Sequence, residues 1–440
     1  MDFFFSAVAS FWSDPTVRYV LICCLLLSLS SSLTGSFALL RGQALLGDAL
    51  AHATLPGVCI SFLLLAKKDM GLLLLGAFCS SALGMWLWHI VLRYSRLKSD
   101  TATAFILAFF FGIGTFLLTW IQGSGMSLQS GLHRFLFGSA ASLVGDDVLI
   151  FVFTSVLSLL IIILFRRDFI LLSFDPNFGR SIGFPIRVMD FILSTLLLIS
   201  IVIGIQTVGI VLISAMLIIP PSVARFWTYR MGSFLLLSCF VGCFSTLCGV
   251  WLSYLGRGMP TGPWIVVTAG FLAFISFFLA PRKGILPRLW SNRRLKRRMR
   301  WENLLKVFYH LAERNEDFYS PRHWDTLVDS FTRGEFEGRS LHRKELCKLC
   351  LRGWLVENGK DLWSLSPEGK EQAYRIVRRH RLWELYLTEY MHFPIDQVHK
   401  NAESMEHLLS PELEARLDKK MGYPKRDPHQ TRIPREGSSF

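Results

Sequence analysis

At 440 residues, with 52% hydrophobic side chains and a mean hydropathy of +0.40, the chain is too apolar for an ordinary soluble protein; its 18% charged residues are too many for one lying wholly within a membrane. The average conceals two unlike parts. Residues 1–280 hold 15 Lys and Arg against 10 Asp and no Glu, whereas the last 160 hold 32 basic and 23 acidic residues, so an apolar domain precedes a basic, soluble-looking one.

Apolar runs long enough to cross a bilayer lie near 17–40, 43–65, 70–92, 102–121, 147–165, 189–207, 208–224, 232–254 and 262–280. They predict an all-α polytopic domain of eight or nine transmembrane helices. The block 189–224 is nearly uncharged and punctuated by Gly204, Gly209, Pro220 and Pro221; it reads as two helices, one helix with a re-entrant piece, or one kinked at proline. No basic n-region precedes the first run, so a cleaved signal peptide is not expected. Most of the nine cysteines lie in apolar runs as small hydrophobes, and Cys347-x-x-Cys350 lies in an amphipathic helical pattern with no second pair at zinc spacing.

Within the second run, Asp48 and His52 stand at i, i+4, which puts a carboxylate and an imidazole on one helix face. Ionisable groups inside apolar spans face a bundle interior or an ion path, although a satisfied histidine near a helix start has the same spacing. Arg93–Lys98, Arg166–Arg187, Arg225–Arg230 and everything after Arg282 carry the positive connections, which predicts that they and the C-terminal domain are cytoplasmic. Residues 166–187 are too polar to span and too apolar for a plain linker, and read as a short cytoplasmic helix with turns.

The stretches LTGSFALLRGQALLGDALAHATLPG, SDTATAFILAFFFGIG, SFDPNFGRSIGFP, QTVGIVLISAMLIIPPSVAR and PTGPWIVV occur in that order, and together they resemble permeases of the manganese/zinc/iron ABC transporter family. The resemblance implies a helical permease that dimerises and works with a cytoplasmic ABC ATPase subunit and an extracytoplasmic metal-binding protein. It puts Asp48 and His52 at metal-transit positions and makes Phe174–Gly183, including Asp175 and Gly179, the segment that couples to the ATPase. Independently, carboxylate and imidazole suit Mn²⁺, Fe²⁺ or Zn²⁺ and not Cu(I). No G-x-x-x-x-G-K-[ST] motif occurs in the chain, so ATP hydrolysis is assigned to a separate subunit.

Beyond Ala280, a basic run from Arg293 to Arg300 suits anionic lipid, nucleic acid or a solvated linker. From Trp301 onward, helical periodicity gives way at WLVENGKDLWSLS to a two-strand wing expected to turn at Asn358-Gly359. This suggests a winged helix-turn-helix whose recognition helix offers Arg339, His342, Arg343, Lys344 and Lys348 to DNA; the same fold also serves as an interaction module without DNA. Further on, His399, Glu403, Glu406 and His407 fall on one helical stripe, and His380 and Glu384 form an i, i+4 pair upstream.

RRHRLWELYL, HKNAESMEHLLSPELEARL and DPHQTRIP resemble the diphtheria-toxin-repressor family of metal-dependent regulators. That resemblance implies that His380, Glu403, Glu406 and His407 form a sensing site and that Glu384 and His399 belong to a second one. Two departures stand out: Asn303 and Lys306 occupy ligand positions of the first helix, and the entry to the recognition helix lacks its usual Ser and Thr. The expected organisation is a permease at 1–281, a basic juxtamembrane linker at 282–300, a mainly α winged-helix domain at 301–370 and a helical metal-sensing and dimerisation segment at 371–435. Its expected function is metal import coupled to a metal-responsive repressor with Mn²⁺ or Fe²⁺ as co-repressor, Zn²⁺ being possible. The alternative is a cytoplasmic metal sensor that gates transport without binding DNA.

Overall fold

The computed structural model describes residues 11–65, 70–123, 145–256, 259–281, 283–315, 317–333, 341–394 and 411–434. The chain divides into two compact units, Met1–Arg288 and Leu289–Phe440.

The described part of the first unit is helical throughout: α1 (Pro15–Leu40), α2 (Leu46–Leu65), α3 (Met70–Tyr94), α4 (Ser99–Gly123), α5 (Gly145–Leu164), α6 (Arg166–Phe174), α7 (Pro176–Ser181), α8 (Ile186–Thr207), α9 (Ile210–Trp227), α10 (Met231–Leu255) and α11 (Thr261–Leu279). Among the described residues, seven helices are long and apolar enough to cross a membrane, and α5 with α6, bent by 67° between them, meets the same criterion only when the two are taken as one span. The ambiguous block resolves into two helices. The chain breaks at Gly209, whose φ of 92° favours glycine, while Pro220 and Pro221 lie inside α9.

Helix α1 is the hub and packs against α5, α8, α9 and α10. Asp14 caps it by accepting from the Thr16 N–H at 2.9 Å, with Pro15 at the first position. Its buried face carries Ser28, Ser30, Ser31, Ser32, Thr34 and Ser36. Several of these hydroxyls return to carbonyls of their own helix, as Thr34 does to Ser30 at 2.8 Å and Ser36 to Ser32 at 2.6 Å. Ser36 Oγ also meets Ser238 Oγ of α10 at 3.1 Å. Lipid tails are as apolar as leucine, so helices in a bilayer are held by close packing and such bonds. Gly35 permits the closest approach, since a Cβ there would lie 2.0 Å from the Leu217 carbonyl oxygen of α9.

The second unit contains most of α12 (Ile285–Asn315), then β1 (Arg322–His323), α13 (Trp324–Arg333), α14 (Arg343–Leu351), β2 (Leu355–Gly359), β3 (Leu362–Leu365), α15 (Pro367–Glu389) and α16 (Pro411–Lys420). The antiparallel sheet has the order β1-β3-β2. Helix, helix, hairpin and helix enclose a core that includes Leu305, Phe308, Leu327, Phe331, Leu346, Leu349 and Trp363. The hairpin turns at Lys360-Asp361, not at Asn358-Gly359: Gly359 pairs with Leu362, and Asp361 has φ 63°. Asn358 stays with the strands because its amide donates to Ser364 Oγ at 2.6 Å.

Gly35→Val is expected to destabilise the first unit by about 1–3 kcal/mol through overpacking. Thermal unfolding of the detergent-solubilised chain measures this, with Gly232→Val, which faces open space, expected to leave the midpoint unchanged.

Candidate metal sites and recognition helix

Asp48 lies in the first turn of α2 and His52 one turn further on, with Nε2 3.8 Å from Asp48 Oδ1. Both are partly exposed. His52 packs edge-to-face on Phe111 of α4, with ring centroids 5.0 Å apart. Its Nδ1 is buried and has no hydrogen-bond partner among the described residues. The hydroxyls of Ser28, Ser32, Ser200 and Thr246 in the same unit share that state, so the nitrogen facing Asp48, Nε2, is the one placed to share an ion with it. No third His, Cys, Asp or Glu joins the pair among the described residues. An ionisable cluster absent from the sequence reading lies elsewhere in the unit. Asp190 at the start of α8 takes Arg41 at 2.5 Å and His89 of α3 at 3.5 Å, tying three segments together. The signal for it was three lone ionisable residues in or beside apolar runs.

The segment Phe174–Gly183, expected from the resemblance to couple to an ATPase, holds the short helix α7 and follows directly on α6. Burial of Phe169 and Leu172 holds α6 against its unit, where Phe169 packs on Phe37 of α1. Asp175 caps α7 by accepting from the Phe178 N–H at 2.9 Å, Gly179 is buried, and Gly183 has φ 78°. Phe174, Phe178 and Ile182 are exposed. Three large apolar side chains on so short a stretch form a surface suited to a protein partner.

In the second unit, α15 starts at the Ser366 cap with Pro367 at its first position and runs through His380, Arg381 and Glu384, all buried. His380 Nε2 lies 3.1 Å from Glu384 Oε1, and His380 Nδ1 lies 3.2 Å from the Nζ of Lys306 on α12. Imidazole and carboxylate suit a divalent ion, but an ammonium cannot ligate; these two residues fit a metal only with Lys306 moved away. His399, Glu403, Glu406 and His407 lie outside the described residues. Next to His380 on α15, Arg381 donates to both oxygens of Glu313 at 3.1 and 2.8 Å and to the Arg432 carbonyl at 2.5 Å. Burial raises the Glu313 carboxyl, but hydrogen bonds from His310 and Arg381 and the Arg381 charge outweigh it and bring the pKa down to about 2.

On α14, His342, Arg343, Lys344, Cys347 and Lys348 are exposed, while Leu346 and Leu349 are buried. Arg343 is engaged by the wing: both oxygens of Asp361 accept from it at 3.0 and 3.1 Å, and it lies 5.3 Å from the centre of the Trp324 ring. Arg339 lies outside the described residues. The basic run on α12 is exposed, and Trp290, Arg293, Arg294, Arg297, Arg298, Trp301 and Arg352 line a groove of about 540 Å³.

Residues 13–280 match the ABC 3 transport family. The chain belongs to that family. Residues 366–435 match the iron dependent repressor, metal binding and dimerisation domain. The manganese transport system membrane protein MntC of Bacillus subtilis is 37% identical over 381 residues, covering 86% of this chain and 85% of that one. The zinc transport system membrane protein TroC of Treponema pallidum is 38% identical, covering 66% and 97%. The solved structure of PsaBC from Streptococcus pneumoniae in complex with Fab is 29% identical, with a TM-score of 0.55, covering 63% of this chain and 96% of that one. The protein is thus a multi-pass membrane permease of the metal ABC type fused to a repressor-like domain.

Because the Glu313 pKa is depressed on folding, its pairing stabilises the second unit fully above about pH 4.5 and is lost as pH falls from there toward 2. Glu313→Gln should therefore reduce stability at neutral pH and flatten its decline between pH 4.5 and 2. Hydrogen exchange of the α12 and α15 backbone across that range is the check.

Proposed function

We propose that the permease imports a divalent transition metal, Mn²⁺ or Fe²⁺ in preference to Zn²⁺, by alternating access driven by a separate cytoplasmic ATPase. The observation that carries this is the Asp48–His52 pair, whose carboxylate and Nε2 stand side by side on a helix of a metal-permease family member. Two protein ligands and open positions suit transit, because a site that binds through a full shell releases slowly. Manganese and zinc transport by the named relatives supports the class of cargo. The exposed Phe174, Phe178 and Ile182 support docking of the ATPase on α6–α7, beside Asp175, Gly179 and Gly183. The remaining partners are a second permease subunit and an extracytoplasmic metal-binding protein.

Asp48→Ala and His52→Ala should each lower uptake of radioactive Mn²⁺ at least tenfold in cells expressing the complete transporter, without loss of the chain from the membrane. Undiminished uptake in both would refute the transit role. Phe178→Ser should reduce co-purification of the ATPase, while Trp227→Ser, outside the coupling segment, should not.

The positive connections support a cytoplasmic C-terminal unit. Here the repressor-type domain binds operator DNA through His342, Arg343, Lys344, Lys348 and Arg339. Metal regulates it through His380, Glu384, His399, Glu403, Glu406 and His407, and the basic run on α12 contacts anionic lipid. A second reading, gating of transport without DNA, is favoured by one observation: the wing already engages Arg343 through Asp361. Binding of the gene's own promoter DNA by the full chain in nanodiscs separates the two. On the repressor reading, Lys344→Ala and Lys348→Ala each reduce the salt dependence of binding by about one counterion. Equal affinity for promoter and unrelated DNA, with and without Mn²⁺, would leave gating as the function.

A further inference from the structure

Lys306 is wholly buried, at 0% exposure, and the side chains it joins are nearly so, His380 at 3% and Glu384 at 2%. Lysine is rarely taken fully out of water, and a buried ammonium persists only with partners that use its charge. Its Nζ lies 3.2 Å from His380 Nδ1. An ammonium can only donate, so Nδ1 accepts, and the neutral ring then carries its proton on Nε2, which donates to Glu384 at 3.1 Å. Ammonium, imidazole and carboxylate form one chain of hydrogen bonds linking α12 to α15. Both ring nitrogens are thereby closed to a metal: the lone pair of one faces Lys306, and the other bears a hydrogen.

We propose that Lys306 is a resident cation that competes with metal in the repressor-type domain. It supplies the positive charge that the buried carboxylate requires, so α12 and α15 pack without a metal ion. A divalent ion enters only when the ammonium swings out and His380 presents a lone pair. The regulator would then ignore scarce metal and respond only to excess. This rests on the metal-sensing reading above and adds to it the group that sets the threshold.

The test uses the full chain in detergent with Asp48→Ala and His52→Ala, so that the transit pair takes no metal. Hydrogen exchange of residues 302–315 and 373–389 is followed in chelator and across a Mn²⁺ titration, for Lys306 and for Lys306→Met, Lys306→Glu and Lys306→Arg. The proposal expects the parent and Lys306→Arg to exchange slowly in chelator and to change little at micromolar Mn²⁺. Lys306→Met and Lys306→Glu should exchange faster in chelator and regain protection at a Mn²⁺ concentration at least tenfold below any that affects the parent. Protection of the parent at the same concentration as Lys306→Met overturns the competition and leaves metal sensing standing. Absence of any Mn²⁺ effect in all four chains overturns the sensing reading and the proposal together. Failure of both neutral and acidic variants to fold even in Mn²⁺ also overturns it, because the ion must then be unable to replace the ammonium.

Discussion

A polar group removed from water must find its partner inside the chain, and both units are arranged around that requirement. In the first unit the hydroxyl-rich face of α1 returns most of its bonds to its own backbone and lends one to α10. The hub helix can therefore be small and polar on its buried side at reduced cost, and its neighbours close in around it. Asp190 follows the same rule at larger scale by drawing Arg41 and His89 onto a single carboxylate. Among the described residues the rule has exceptions in this unit, the hydroxyls of Ser28, Ser32, Ser200 and Thr246 and the Nδ1 of His52 among them.

The second unit applies the rule to full charges. Arg381 is almost completely buried, yet it has both oxygens of Glu313, the Arg432 carbonyl and the nearby Asp427. That arrangement joins α12, α15 and the final described segment 423–434, where Asp427 is in turn bonded to Thr431. Lys306, two turns before Glu313 on α12, links the same two helices through His380. Two cations thus cross between the same pair of helices, one held by a carboxylate fork and the other by an imidazole relayed to a carboxylate.

Much of this was legible in the sequence because the bilayer imposes a long, one-dimensional signal: each of the nine apolar runs lies on a helix. What the runs could not indicate was the sharp bend between α5 and α6, which depends on Phe169 packing against Phe37, far away in sequence. The wing was legible from its alternating pattern, but its turn was misplaced by two residues. Asn358-Gly359 has the composition of a tight turn, and the side-chain bond from Asn358 to Ser364 that keeps it in the strands is a tertiary fact. At the sites, i, i+4 spacing marked Asp48 with His52 and His380 with Glu384, since one helix suffices to bring each pair together. The Asp190 cluster joins three distant segments, and its lone ionisable residues did not indicate which of them would meet. Lys306 was visible only as a ligand position with the wrong chemistry, and its distance to His380 gives that departure a physical sense.

A permease and a regulator on one chain face a particular problem of concentration. On the reading proposed above, a regulator on the same chain works in a cell whose metal supply its own transporter maintains. With an open high-affinity site, such a sensor would be filled by ordinary transport and would report nothing. An internal ammonium raises the threshold without removing the ligands, because the free energy of metal binding is reduced by whatever is needed to displace Lys306 and rearrange the His380 proton. The two ligand pairs then differ in the way their tasks demand. On the transit reading proposed for it, the pair on α2 offers only two ligands, so an ion held there is readily let go. The pair on α15 is closed by hydrogen bonds at both ring nitrogens, so it yields only when the ion is abundant.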